Sequence, residues 1–164
     1  MARNRFLLIM RCLNFMTDNG DESRLNKISG LIEHFNNIMN SIFYPDKILC
    51  IDESLVLWRG RLWCHQYIKG KATKYGIKLY LLTDQFRFVV KVVVHGGKAD
   101  GVVGGKDRVN KVVKNLLQGK LGVGHSVYTD NFYNSVSLTN FLIENDTHIT
   151  GTLRPNRVGL PTQV

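Results

Sequence analysis

The sequence predicts an α/β domain: a mixed sheet covered by helices and preceded by a short helical segment. Three observations predict it. Apolar residues before Pro45 recur at helical spacing; after Pro45 they gather into short runs of strand type; and those runs open with a hairpin, then alternate with helical patterns. A chain of 164 residues, 44% hydrophobic and 10% aromatic, suits one packed core and excludes a disordered chain.

In the front part, Phe6, Leu7, Met10, Leu13 and Phe15 sit roughly at helical spacing, and the Asp18–Asp21 stretch breaks the pattern. A second helix is expected with Ser23 or Asn26 as cap, because Ile28, Leu31, Ile32, Phe35, Ile38, Met39 and Ile42 fall on one face. Ile48 to Ile51 is a continuous apolar run of central-strand type that ends in Asp52-Glu53. Lys78 to Thr83 and Phe86 to Val94 read as two strands joined at Asp84-Gln85. Arg108 to Leu117 is helical in spacing, Ser126 to Thr129 is a short strand running into Asp130, Val136 to Glu144 is a helix, and His148 to Leu153 is a last strand.

Charge points to a polyanionic partner. Twenty-two Lys and Arg against 13 Asp and Glu give +9, and the excess is uneven: residues 46–104 hold ten bases and five acids, residues 1–45 five and four. Between Arg59 and Lys78 lie Arg59, Arg61, Lys69, Lys71, Lys74 and Lys78 with no acid, interleaved with Trp63, Tyr67 and Tyr75. Such a run is either a solvated basic loop or a nucleic-acid track whose cations meet phosphates and whose rings stack on bases.

Several readings are set aside. Cys12, Cys50 and Cys64 form no CxxC pair, so neither a disulfide framework nor a zinc site is indicated, and His65 beside Cys64 has no partners for one. The apolar run Phe6 to Met10 is too short for a signal peptide, and no run is long enough to span a membrane. The glycines around Gly104-Gly105-Lys106 miss the phosphate-loop spacing, since Asp100 stands where the first glycine belongs, and are expected to be a turn. Asn145-Asp146-Thr147 has the form of a glycosylation acceptor, but without a secretory signal it is expected to stay unmodified.

Asp52 and Asp130 resemble one another: each is the acid met as a buried apolar run ends. If the two strands are adjacent the carboxylates come together, and two such groups repel unless a cation sits between them. Oxygen ligands suit Mg²⁺ or Mn²⁺, and a pair of these ions about 4 Å apart serves phosphodiester chemistry. Taken singly, Asp52 is a strand-end cap and Asp130 a turn-former with Asn131. Glu53 should point to the opposite face and support rather than ligate.

Ile51-Asp52-Glu53-Ser54 is followed by Arg59-Gly60-Arg61, by Gln66-Tyr67-Ile68 with Lys71, and by Lys74-Tyr75-Gly76-Ile77-Lys78. Further on come Tyr128-Thr129-Asp130-Asn131-Phe132-Tyr133 with Ser135 and Leu138, then Gly151-Thr152-Leu153-Arg154 with Asn156-Arg157. In order and spacing these strongly resemble the catalytic domain of piggyBac-type transposases. Arg5-Phe6, Leu13-Asn14-Phe15, the stretch Arg24 to Ile28 and Tyr44-Pro45 look like the helical dimerisation and DNA-binding region before it.

The resemblance implies a ribonuclease H-like fold, incomplete in this chain. Residues 1–45 would belong to the helical segment and 46–164 to the catalytic domain. It implies an aspartate triad binding Mg²⁺ or Mn²⁺ in a two-metal site, with Asp52 matching the first aspartate and Asp130 the second. The third lies beyond the strand that matches His148 to Leu153, so unaided cleavage by this chain is not expected. The implied activity is metal-dependent DNA strand cleavage and transfer in cut-and-paste transposition. The implied partners are DNA and a second copy in the full-length protein, with no membrane and no small-molecule substrate, and the implied location is the nucleus. The other reading is a domesticated or decayed DNA-binding derivative without catalysis.

Overall fold

The computed structural model describes residues 1–13, 15, 25–58, 62–70, 74–97 and 100–160, without the side chains of Asn26 and Lys27. Its elements are α1 (Arg3–Cys12), α2 (Asn26–Ile42), β1 (Ile48–Leu57), β2 (His65–Tyr67), β3 (Tyr75–Asp84), β4 (Val89–Val94), α3 (Arg108–Leu116), β5 (Ser126–Thr129), α4 (Val136–Glu144) and β6 (His148–Gly151).

The six strands form one mixed sheet. β1 pairs antiparallel with β3 and parallel with β5, which pairs parallel with β6; β2 and β4 both pair antiparallel with β3. This hairpin-then-parallel order is that of the ribonuclease H-like fold, as the family resemblance implied. The core lies on the sheet face that carries Leu49, Ile51, Tyr80, Leu82 and Val127, packed against Val112, Val113 and Leu116 of α3 and Leu138 and Leu142 of α4. Burying fourteen such residues supplies the main driving force for the fold.

Local chemistry explains the element ends. Ser135 caps α4 by accepting from the Leu138 backbone N–H at 3.3 Å. Gly76 is required where β3 passes β1, since a Cβ there would stand 2.1 Å from the Val56 carbonyl oxygen. The Gly104–Asp107 stretch is a turn as expected, with Gly105 at φ 70° and Asp107 at φ 59°.

Helix α2 lies along the outer edge of β4. The Asn36 side-chain amide donates to the Val92 carbonyl and its oxygen accepts from the Val92 N–H, both at 2.9 Å, so a helix side chain satisfies backbone groups that an edge strand leaves open. Helix α1 buries none of its residues, and Phe6, Leu8 and Met10 are exposed.

Four expectations need correction. β1 does not end at Asp52 but runs on to Leu57, because β3 continues to pair it from Asp52↔Leu81 to Leu57↔Gly76 after β5 has departed. β4 begins at Val89, since Phe86 and Phe88 are exposed in the hairpin turn. β6 ends at Gly151, short of Leu153, and α1 ends at Cys12. β2 was not foreseen; three residues are too few to show a period.

Candidate metal and nucleic-acid site

The parallel pairing of β1 with β5 ends at Ile51↔Thr129, so Asp52 and Asp130 are the next residues of two neighbouring strands, whose backbones lie about 4.8 Å apart. Ile51 is buried in the core, so Asp52 projects from the opposite face, with Cys50 and its partner Tyr128. Both aspartates are exposed. Asp52 Oδ1 accepts from the Glu53 N–H at 2.7 Å and Asp130 Oδ1 from the Phe132 N–H at 2.9 Å. Among the described residues the second oxygen of each carboxylate accepts no hydrogen bond and meets no cation. At β5's other flank, Gly151 allows β6 to close up, since a Cβ there would stand 2.3 Å from the Thr129 carbonyl oxygen.

The turn after Asp130 is held from several sides. Tyr133, fully buried, donates its hydroxyl to Glu53 Oε2 at 3.1 Å, so the residue beside Asp52 grips the turn beside Asp130. Lys78 lies 3.9 Å from the same oxygen, with its ammonium 4.9 Å from the Tyr80 ring centre and 4.7 Å from that of Phe132. Burial, then the Glu53 charge, pushes the Tyr133 phenol far above its ordinary range, so it stays a donor. Arg154 donates twice to Asn131 Oδ1, at 3.1 and 2.9 Å, and Arg157 donates to the Asn131 and Phe132 carbonyls at 2.9 and 2.8 Å. Asn134 donates to the Gly151 carbonyl at 3.0 Å.

Glu53 therefore points away from Asp52 and toward the Asp130 turn, as its alternation with Asp52 predicted. The roles of Tyr133, Arg154 and Arg157 in holding the turn were missed; the nearest signal was that all three stand in the motifs that carry the family resemblance.

Of the basic track, Arg59, Arg61 and Lys71 lie outside the described residues. Lys69 and Lys74 are exposed, whereas the Lys78 side chain is turned inward toward Glu53 and is only 11% exposed. The β2–β3 tip between them carries rings: His65 stacks on Tyr75 at 5.5 Å and 8°, and Tyr67 and Tyr75, both about half exposed, approach to 4.8 Å. His65 Nε2 meets the Trp58 carbonyl at 3.0 Å, a packing role rather than a zinc ligand.

The donors beside Asp52 and Asp130 are oxygens. The Cys50 thiol is pushed up by burial, then by Asp84 and Asp52, and so stays protonated. Such a set fits a hard divalent cation, to which the two aspartates would supply two ligands. Among the described residues no group of three or more His, Cys, Asp or Glu comes together to hold an ion, and no helix is long and apolar enough to cross a membrane.

A ribonuclease H-like sheet with two exposed aspartates at adjoining strand positions fits a transposase domain. The comparisons agree: the Transposase IS4 family model matches residues 1–164, and the chain belongs to that family. Within it the chain is of piggyBac type. It is 26% identical over 168 aligned positions to human PiggyBac transposable element-derived protein 3, covering 96% of this chain and 28% of that protein. A human Chimeric ERCC6-PGBD3 protein shows the same 26% identity over 96% of this chain and 16% of its own length. Among solved structures, a piggyBac transposase in a synaptic complex with hairpin DNA superposes with a TM-score of 0.85 at 26% identity, covering 98% of this chain and 35% of that one. The chain thus spans about a third or less of the length of these relatives.

Proposed function

We propose that this chain supplies two metal-binding aspartates and part of the DNA-holding surface of a transposase that cleaves and joins DNA strands. The observation that carries the proposal is the β1–β5 register, which makes Asp52 and Asp130 neighbours, each with one uncommitted oxygen. Mg²⁺ or Mn²⁺ held there, together with the third carboxylate that the family resemblance implies, would activate the attacking oxygen and stabilise the leaving one. The chain's own contribution is positional. Glu53, Tyr133, Arg154 and Arg157 hold the Asp130 turn against β1, and a site whose geometry is set beforehand loses little on reaching the transition state. Lys69 and Lys74 beside exposed Tyr67 and Tyr75 form a surface for phosphates and bases, in keeping with the hairpin DNA in the similar complex. A DNA substrate and the human relatives are in keeping with a nuclear location, and a second copy would bring two DNA ends together.

Calorimetric titration with Mn²⁺ tests the reading. The 164-residue chain should bind Mn²⁺ weakly, because two carboxylates leave most of the coordination shell to water. Asp52→Asn and Asp130→Asn should each abolish that binding. Equal binding by either variant and by the unsubstituted chain would refute the site.

A further inference from the structure

A second site lies on the other face of the sheet, where α2, β4 and the end of α3 enclose a pocket of about 370 Å³. Its polar lining is Lys91, Lys120, Asn36, Asn37, Asn40 and Gln118, with no acid among the lining residues. We propose that this pocket binds a phosphate group between the ammonium groups of Lys91 and Lys120.

The argument begins from the strand register. Lys91 of β4 pairs with Leu82, and Leu82 with Ile51, so Lys91 rises on the core face, opposite to the one that carries Asp52. There its Nζ reaches the Asn115 carbonyl at the end of α3 and lies 3.5 Å from Gln118 Oε1. Lys120, in the turn that follows α3, is only 4% exposed. Its Nζ donates to Asn40 Oδ1 at 3.2 Å and stands 4.6 Å from the Tyr44 ring centre. Each ammonium has three donors, and its partners here are neutral. Among the described residues neither meets a carboxylate within the 4.0 Å of an ion pair.

A buried cation beside a half-buried one, without an anion, is costly, and proteins normally supply a counter-charge. Burial lowers the Lys120 ammonium's pKa, and burial followed by the Lys120 charge lowers that of Lys91, the behaviour of under-compensated cations. The α3 carbonyl end contributes about half a negative charge, which offsets only part of the pair. The pocket has room for much more than one water, whose share of liquid volume is about 30 Å³. An oxyanion with several acceptor oxygens would use the spare donors of both lysines and the Asn37 and Asn40 amides at once. A sheet side chain, a helix side chain and a turn side chain converge here, so the site is built by the fold rather than by a mobile surface charge. It is separate from Asp52 and Asp130 and stands whether or not they hold metal.

The phosphate has two sources, a free phosphate or the backbone of DNA, and the test separates them. Thermal melts and calorimetry with inorganic phosphate should show stabilisation beyond that given by chloride at equal ionic strength. Lys120→Met and Lys91→Met should each weaken phosphate binding about tenfold or more, the worth of one charge-assisted hydrogen bond. Lys120→Met removes a buried uncompensated charge and so should fold at least as well as the unsubstituted chain; Lys91→Met provides a second reading at a half-buried position. A short DNA duplex that displaces phosphate, and binds less well to the same variants, identifies backbone phosphate; a duplex that leaves phosphate bound identifies the free ion. Phosphate no better than chloride, or equal binding by both variants and the unsubstituted chain, overturns the proposal.

Discussion

Asp84 and Asp130 stand at comparable places, each where a strand of the same sheet gives way to a turn, yet their carboxylates are used differently. Asp84 is 4% exposed, and its Oδ1 accepts from the Phe86 and Phe88 N–H groups at 2.9 and 2.8 Å. Asp130 is exposed and accepts one backbone bond, while its turn is held by Tyr133, Arg154 and Arg157 instead. The first carboxylate is buried, and one of its oxygens holds two N–H groups of the turn it opens. The second carboxylate accepts one bond from a turn that other side chains also hold, and it stays open to solvent. Burial, with the number of turn N–H groups a carboxylate accepts, therefore separates a structural aspartate from a candidate ligand where sequence position does not. Asp100 falls with Asp84, since its two oxygens accept from Gly96, Val102 and Val103.

The largest expected effect tests the buried side of this comparison. Asp84→Ala leaves two part-buried N–H groups of the β3–β4 turn without their charged acceptor, and should destabilise the fold by about 3 kcal/mol in urea unfolding. A loss below about 1 kcal/mol would mean that the turn does not depend on Asp84, and the contrast with Asp130 would fail.

A middle-sized effect tests what holds the Asp130 turn. Tyr133→Phe removes the hydroxyl that Glu53 accepts, at a cost of about 1 to 2 kcal/mol. It should also alter the alkaline limb of stability. The folded Tyr133 phenol lies well above the ordinary value of about 10, so its contribution is complete below that pH. Above about pH 10 the unfolded chain ionises this tyrosine and the folded chain does not, so stability falls as pH rises. Tyr133→Phe should make that fall shallower, with Tyr80, raised mainly by burial, accounting for part of what remains. An unchanged alkaline slope would show that Tyr133 ionises alike in both states.

How much of this was legible in the sequence depends on whether a feature was local. Helices α2, α3 and α4 and the hairpin were readable because their apolar spacing is dictated by one face of one element. The neighbourhood of Asp52 and Asp130 was readable as two apolar runs ending in acids, once a parallel order was assumed. The continuation of β1 past Asp52 was not, because only pairing with β3 on one side sustains a strand whose residues there are mixed in polarity. Lys78 looked like one more cation of a solvated track, but its strand position turns it toward Glu53, across the sheet from the end of a run whose exposed members include Lys69 and Lys74. Arg154 and Arg157 act on a turn more than twenty residues earlier, a long-range pairing that no window on a single sequence contains.

The smallest effect is the most discriminating, because its sign carries the information. Asp130→Asn keeps an amide oxygen to accept from the Phe132 N–H and keeps a good turn-former, so the turn loses little. It also removes one of two like charges at adjoining strand positions, which relieves repulsion in the metal-free chain. The net expectation is a change within about 0.5 kcal/mol, on the stabilising side, and shrinking as added salt screens the pair. Urea unfolding at low and high salt measures both the sign and its salt dependence. If Asp130 were a turn carboxylate like Asp84, the same substitution would weaken a charge-assisted bond and destabilise the fold at either salt concentration. A clear loss of stability would therefore move Asp130 to the structural class, whereas a small, salt-sensitive gain marks a carboxylate held near another without a cation between them.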